Sequence, residues 1–225
     1  MTIPEILSQI ALFEEFTPEE LEFVAGRCRR RAYQPGDTVF FAGDPGHQVF
    51  FIGSGKVKIH LLRDDGEETV YTIVSAGDFF GEMAIIDGKP RSADATCTEK
   101  SELAFLMRDD FFECMERFPK LSRRVLQVQS QRLRDTDRQL EMMTSLDVYG
   151  RVAAQLLELA RLHGAETGKG TDIQLNLTQQ DLAAMVGASR ESVNKVLNAF
   201  KSRGFIQMSR GHMTLLNLEE LRKRS

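Results

Sequence analysis

The period of apolar and polar positions changes along the 225-residue chain. In roughly the first half, short β-branched and aromatic segments run from Thr38 to Phe41, Val49 to Ile52, Val57 to Leu62 and Thr69 to Val74. Glycines punctuate them at Gly36, Gly43, Gly46, Gly53, Gly55, Gly66, Gly77, Gly81 and Gly88. Short strands at such turn-separated spacing predict an all-β sandwich or barrel. Val57, Ile59 and Leu61 alternate with Lys58 and His60, the period of a strand with one buried face. Asp64-Asp65-Gly66 carries a hairpin-turn signal. Thr17 with Glu20 three residues on predicts a capped helix ahead of the sheet.

From about Phe111 the period becomes helical. No Gly or Pro occurs between Pro119 and Leu146, and Leu126, Leu133 and Leu140 recur every seven residues. Offset by three stand Gln129, Thr136 and Met143. Such a heptad row pairs two helices, and Gln129 and Thr136 weaken a plain zipper at their layers. Two readings are open: a helix lying on its own β domain with polar edge residues, or a homodimer seam whose polar interior something must satisfy. A break follows at Leu146 to Gly150, with Asp147 placed to cap a new helix. Val152, Leu156, Leu157, Leu159 and Ala160 then give an amphipathic spacing over Arg151 to Leu162. The stretch from His163 to Asp172, rich in Gly and charge, is expected to be a loop.

The last unit is more specific. Thr178, with Asp181 completing a capping box, opens a helix with Leu182, Met185 and Val186 on one face. Gly187 supplies a helix-ending turn. Ser189 caps a second helix with Val193, Val196, Leu197 and Phe200 facing inward. Two short helices around a Gly-containing turn read as a helix-turn-helix. Phe205 to Met208 and Met213 to Leu216 read as two strands around Ser209 to His212, a wing. On the second helix Arg190, Glu191 and Lys195 share the exposed side near the N-terminus, where such a helix reaches base edges. Arg suits guanine O6 and N7, and Glu suits cytosine N4. The candidate DNA contacts are Thr178, Gln179 and Gln180 at the first helix, Ser189, Arg190, Glu191, Asn194 and Lys195 at the second, and Arg210 in the wing.

Charge first argues against this and then supports it. The whole chain carries 29 Lys+Arg and 33 Asp+Glu, a net −4, far from the basic balance of a nucleic-acid coat. Residues 148–225 nevertheless hold 11 Lys/Arg and 7 Asp/Glu, net +4, against 18 and 26, net −8, in residues 1–147. Positive charge is concentrated where phosphate neutralisation needs it. At 42% hydrophobic and 28% charged, the composition is globular rather than disordered. The N-terminus is acidic and interrupted, unlike a signal peptide. The longest apolar runs are a handful of residues against the ~20 of a bilayer span. A cytoplasmic protein with no membrane partner is expected.

Cys28, Cys97 and Cys114 stand in no CxxC spacing, and His47, His60, His163 and His212 in no HExxH spacing. Buried, chemically idle thiols and no metal site are expected. One segment of the β region does carry chemistry: Gly77-Asp78-Phe79-Phe80-Gly81-Glu82-Met83-Ala84, followed by Pro90-Arg91-Ser92-Ala93. A glycine admits backbone N–H groups to a phosphate. Arg and Ser add a charge and a hydroxyl for the same anion, and Glu82 can accept from a ribose hydroxyl. Together they describe a pocket for one phosphate joined to a sugar.

Gly81-Glu82-Met83-Ala84…Pro90-Arg91-Ser92-Ala93, the long heptad helix and Ala188-Ser189-Arg190-Glu191-Ser192-Val193 resemble the CRP/FNR (catabolite activator protein) family. The resemblance runs over essentially the whole chain, in order. It implies an α+β fold: a jelly-roll-like, cyclic-nucleotide-binding β-roll over residues 1–118, a dimerisation helix over 119–146 and a winged helix-turn-helix over 147–225. It further implies a non-enzymatic, homodimeric transcription regulator with cyclic AMP as allosteric effector and no metal. The partners implied are double-stranded DNA with palindromic TGTGA-like half-sites, and RNA polymerase. By position, Glu82 matches the ribose acid and Arg91 and Ser92 the phosphate ligands, with Gly81, Met83 and Ala84 of the same motif around them. Arg132 and Thr136 match positions that close the pocket. Asp137 departs from the family's small hydroxyl residue, and Lys195 replaces an arginine, giving one point donor in place of a fork. A member that responds to another nucleotide or to none is the alternative within the family. A regulatory nucleotide-binding subunit is the alternative outside it, and after the roll only the seam helix and helix-turn-helix remain to build it.

Overall fold

A computed structural model of the chain describes every residue except 64–65, 176–177 and 210–211, and describes His212 by its backbone. The chain forms two compact units, Met1–Arg132 and Leu133–Ser225. Each is described by itself.

The first unit opens with α1 (Ile3–Leu7) and α2 (Pro18–Ala25). The expected capping box is present at Thr17, whose N–H donates to Glu20 Oε2 at 2.7 Å while Thr17 Oγ1 accepts from Glu20 N. Strands β1 (Arg29–Tyr33), β2 (Thr38–Phe40), β3 (Gln48–Ser54), β4 (Lys56–Leu62), β5 (Glu68–Ser75) and β6 (Phe79–Phe80) follow, then helix α3 (Glu82–Asp87). Strands β7 (Asp94–Cys97) and β8 (Ser101–Met107) and helices α4 (Arg108–Arg117) and α5 (Pro119–Ser145) complete the series. Two four-stranded antiparallel sheets, ordered β1-β8-β3-β6 and β2-β7-β4-β5, make the β-roll.

Strand β3 explains why its sequence runs apolar without alternation. Phe50 and Ile52 join Val57, Phe80, Ala95 and Leu103 in one core cluster. Val49 and Phe51 join Ile6, Phe13, Phe111, Leu121 and Val125 in another. Both faces of the strand are therefore covered, which removes the period-2 signal. Strand β1, RRRAY, is missing from the sequence reading because only Tyr33 of its five residues is buried. Its ladder with β8, Arg29↔Phe105 to Tyr33↔Ser101, supplies what its side chains do not. Asp64 and Asp65 of the expected hairpin turn lie outside the described residues.

Helix α5 is anchored at its start by ion pairs to the N-terminal segment, Lys120 to Glu20 and Arg123 to Glu15. Leu121 and Val125 are buried in the core. The leucine row is not: Leu126, Leu133 and Leu140 are 63–68% exposed in the single chain. No helix of the described residues is long and apolar enough to cross a membrane.

The second unit comprises the end of α5, then α6 (Val148–His163), β9 (Gly164–Thr167), β10 (Gly170–Ile173), α7 (Gln179–Val186) and α8 (Arg190–Ser202). Strands β11 (Ile206–Ser209) and β12 (His212–Leu215) and helix α9 (Leu218–Arg222) follow. Its sheet is ordered β11-β12-β10-β9. The loop expected over His163 to Asp172 is corrected: β9 and β10 pair as a hairpin there, Gly170↔Thr167 to Ile173↔Gly164. Only Thr171 and Ile173 of the two strands are buried, too few to give a period. Tertiary pairing supplies the rest: Gly170 lies with φ +142° against the Leu215 carbonyl, where no side chain fits, and Thr171↔Leu215 to Ile173↔Met213 add the hairpin to the wing.

Candidate functional site

The first constellation lies in the first unit around the junction of β6 and α3. Gly81 takes φ +82° as the residue ahead of α3. A Cβ there would stand 2.7 Å from Arg91 Nη1 and 3.3 Å from the Gln48 carbonyl, so glycine is required by both conformation and space. Arg91 is 6% exposed. It donates from Nη1 to the Gly81 carbonyl at 2.5 Å and from Nη2 to the Gln48 carbonyl at 2.8 Å. Its guanidinium stacks 4.1 Å from the Phe40 ring centroid. Its Nε has no hydrogen-bond partner, and no carboxylate of the described residues pairs with it. Burial pushes this guanidinium below its ordinary pKa, against the pull of Glu82 and Asp44. A buried cation held by neutral carbonyls and an aromatic face is a charge that an anion would balance.

Glu82 is 2% exposed. Its Oε1 accepts from Arg132 Nη1 at 2.7 Å and from Gln129 Nε2 at 2.6 Å. Arg132 Nη2 also donates to the Phe79 carbonyl at 2.5 Å, and the guanidinium lies over the Phe79 ring. Of the expected set, Gly81, Glu82, Arg91 and Arg132 thus come together. Ala84 is buried and packs where a side chain at Gly46 would collide with it. Met83 is 53% exposed, and Ser92 is exposed. Thr136 and Asp137 belong to the second unit and are exposed on α5. Phe40, Gln48, Gly46 and Gln129 are missing from the sequence-based set. Only Gln129 carried a signal, as a polar residue in the heptad.

The three cysteines are buried, as expected. Desolvation pushes the Cys28 thiol up to about 12 and the Cys114 thiol to about 11, from an ordinary 9.0. Among the described residues no group of three or more His, Cys, Asp or Glu could hold a metal ion.

The second constellation lies in the second unit. Thr178 caps α7 with Asp181 in a capping box, Gly187 ends it in the left-handed region at φ +59°, and Ser189 caps α8. Val193, Val196, Leu197 and Phe200 are buried. Burying one face of α8 turns the other outward, so Arg190, Glu191, Asn194 and Lys195 are exposed, as are Thr178, Gln180 and Ser189. Gln179 is half-buried, and its amide donates to Asn194 Oδ1 at 3.2 Å, tying the two helices. Arg210 lies outside the described residues. Arg151, absent from the sequence-based set, donates to the carbonyls of Val186 and Leu146 at 2.8 and 2.9 Å.

Comparison with known proteins finds a family match for a stretch of each unit. The cyclic nucleotide-binding domain family matches residues 30–118, and the Crp-like helix-turn-helix domain family matches residues 150–224. A CRP-like cAMP-activated global transcriptional regulator of Mycobacterium tuberculosis is 36% identical over 221 residues, 98% of this chain and 99% of its own. The cyclic AMP receptor protein of Thermus thermophilus is 32% identical over 200 residues, 89% of each chain. Among solved structures, the c-di-GMP responsive global regulator CLP of Xanthomonas campestris superposes with a TM-score of 0.76 at 26% identity, over 88% of this chain and 99% of its own. With a cyclic nucleotide-binding domain, a Crp-like helix-turn-helix domain and such relatives along its length, this chain belongs to the CRP/FNR family of DNA-binding transcription regulators.

Proposed function

We propose that this protein is a homodimeric regulator whose affinity for DNA is set by cyclic AMP bound in each β-roll. The observation that carries the reading is Arg91: 6% exposed, with Nε unpartnered and no carboxylate among the described residues paired with it. A phosphate fits that charge, and Glu82 beside it can take a ribose hydroxyl. Ser92, exposed at the same turn, is the second phosphate ligand, and Thr136 and Asp137 the base-facing residues. Relatives that share at least 32% identity and are cAMP-activated or named as cyclic AMP receptors favour cyclic AMP. The exposed row Leu126, Leu133 and Leu140 is the dimer seam, because an unpartnered leucine row on a helix favours a second copy of itself. In the DNA-competent state two α8 helices lie one DNA turn apart, ~34 Å, on a palindromic TGTGA-like operator. RNA polymerase is the further partner, and the cytoplasm the compartment.

A nucleotide moves such an equilibrium only by its differential affinity for the two states, and a coupling of about 1–3 kcal/mol is ordinary. The second reading, a different cyclic nucleotide, is favoured by the likeness to a c-di-GMP responsive regulator. Calorimetry with cyclic AMP, cyclic GMP and cyclic di-GMP separates them. Cyclic AMP alone giving heat, lost in Arg91→Ala, is the expected result. Heat with cyclic di-GMP only selects the second reading, and heat with none overturns both. A gel shift on a TGTGA palindrome, with and without the nucleotide, tests the DNA half.

A further inference from the structure

Three consecutive residues opening α6 contact the end of α5, the turn between α7 and α8, and the far end of α8. Asp147 caps α6, its Oδ1 accepting from Gly150 N at 2.8 Å. The half-buried Arg151 then spreads its guanidinium over three carbonyls. Nη1 donates to Leu146 O at 2.9 Å, Nε to Val186 O at 2.8 Å, and Nη2 reaches Gly187 O at 3.5 Å. Leu146 directly follows α5. Val186 is the last residue of α7, and Gly187 its left-handed cap. These carbonyls sit at the negative ends of two helices, where a fixed cation is most favourable. A lysine ammonium gathers its donors at one nitrogen, without the planar fork, and cannot span all three.

Two residues earlier, Tyr149 reaches the C-terminal end of α8. Its ring meets the fully buried Phe200 edge-to-face at 4.7 Å. Its hydroxyl accepts from Arg203 Nη1 at 3.0 Å, and Arg203 is the C-cap of α8. Between them Gly150 is buried, and a Cβ there would stand 2.8 Å from the Arg224 carbonyl and 3.2 Å from Leu146 Cβ. The first turn of α6 is therefore clamped against the C-terminal ends of α7 and α8, the Arg224 carbonyl just past α9, and the residue after the seam helix.

From this geometry we infer that Arg151 and Tyr149 are positioning residues that make the orientation of α8 follow the last turn of α5. Helix α8 cannot turn against Leu146 without breaking the Arg151 fork at the Gly187 turn or the Tyr149–Arg203 bond. A change at the seam then reaches the base-reading side chains as a rigid movement. The inference rests on the proposed nucleotide control only for what drives the seam; the clamp itself does not require it.

The test uses the full chain with spin labels at Arg138→Cys and Asn198→Cys, diluted into unlabelled chain, the native thiols being buried. Pulsed dipolar spectroscopy reads the α5–α8 distance. Without other change a single narrow distribution is expected. Arg151→Lys should broaden it, and Tyr149→Phe, which removes only the hydroxyl, should broaden it less. In parallel, the gain in operator affinity on adding cyclic AMP should fall about five-fold or more in Arg151→Lys, while cyclic AMP affinity without DNA stays within about two-fold of the parent, below the range of ordinary coupling effects. Unchanged distributions in folded Arg151→Lys and Tyr149→Phe overturn the inference. Should Arg151→Lys fail to fold, Tyr149→Phe decides alone. A parent chain that gains no DNA affinity from any nucleotide overturns the proposed control instead, and the label distances still decide the clamp.

Discussion

Gln129 donates its side-chain amide to the buried Glu82 carboxylate at 2.6 Å. A residue read from the sequence as a weak layer of the seam is thus turned onto the β-roll within its own chain. The same oxygen accepts from Arg132, so Glu82 Oε1 has both lone pairs engaged and a ribose hydroxyl would meet the other oxygen. Gln129 and Arg132 thus join helix α5 to the pocket within one chain.

The two donors should differ in worth. Arg132→Met leaves a nearly fully buried carboxylate with one neutral amide. The cost should be about 2–3 kcal/mol, below a fully buried pair because Arg132 is itself a third exposed. Gln129→Leu removes a neutral donor from a carboxylate that keeps its guanidinium partner, and should cost about 1.5 kcal/mol, the low end for a bond to a charged group. Urea unfolding of the two variants checks the order; equal losses would remove the charge argument.

Gly81→Ala should injure the pocket more than its strain alone implies. A residue held at positive φ costs about 1–2 kcal/mol, and here the new Cβ also meets Arg91 Nη1 at 2.7 Å. Gly36, at φ +88° with nothing within 4 Å of such a Cβ, is the matched control. Cyclic AMP affinity should fall about ten-fold or more in Gly81→Ala, the effect of losing one charge-assisted hydrogen bond. Gly36→Ala should lose stability with affinity intact. Calorimetry on both variants reads the difference.

Leu133→Glu with Leu140→Glu should yield a folded monomer. Both leucines are 63% exposed in the single chain, so within it the exchange should cost no more than about 0.5 kcal/mol. Sedimentation equilibrium should give a dimer for the parent and a monomer for the double variant. A dimer that survives places the interface elsewhere.

Stability should decline in alkali from an identifiable source. Burial raises the Cys28 and Cys114 thiols from 9.0 to about 12 and about 11. Above pH 9 the unfolded chain releases these protons while the folded chain keeps them, so stability present below pH 9 is lost as pH climbs toward 11 and 12. Denaturant midpoints between pH 8 and 10.5 measure this, and Cys28→Ala with Cys114→Ala should flatten the slope. At pH 7 both thiols should resist iodoacetamide until the chain unfolds.

Features whose partners lie a few residues apart are legible in the sequence. The capping boxes at Thr17 and Thr178, the Asp147 cap, the Gly187 turn and the outward face of α8 follow from backbone geometry over one or two turns. The left-handed Gly81 is legible in the same way, one short segment supplying both its conformation and the neighbouring Glu82. What only the tertiary structure decided is which distant groups meet. Glu82 pairs with Arg132, fifty positions on, and not with the nearer Arg91, whose guanidinium bonds Gly81 and Gln48 carbonyls. Strand β1 and the β9–β10 hairpin form because a partner ladder, not their own polar side chains, satisfies their backbone. Arg151 looks like any helix-surface arginine until the ends of two helices bring their carbonyls to it. Local hydrogen bonding and period are written in neighbouring residues. Charge pairing and ladder closure depend on a three-dimensional proximity that the residue order does not display.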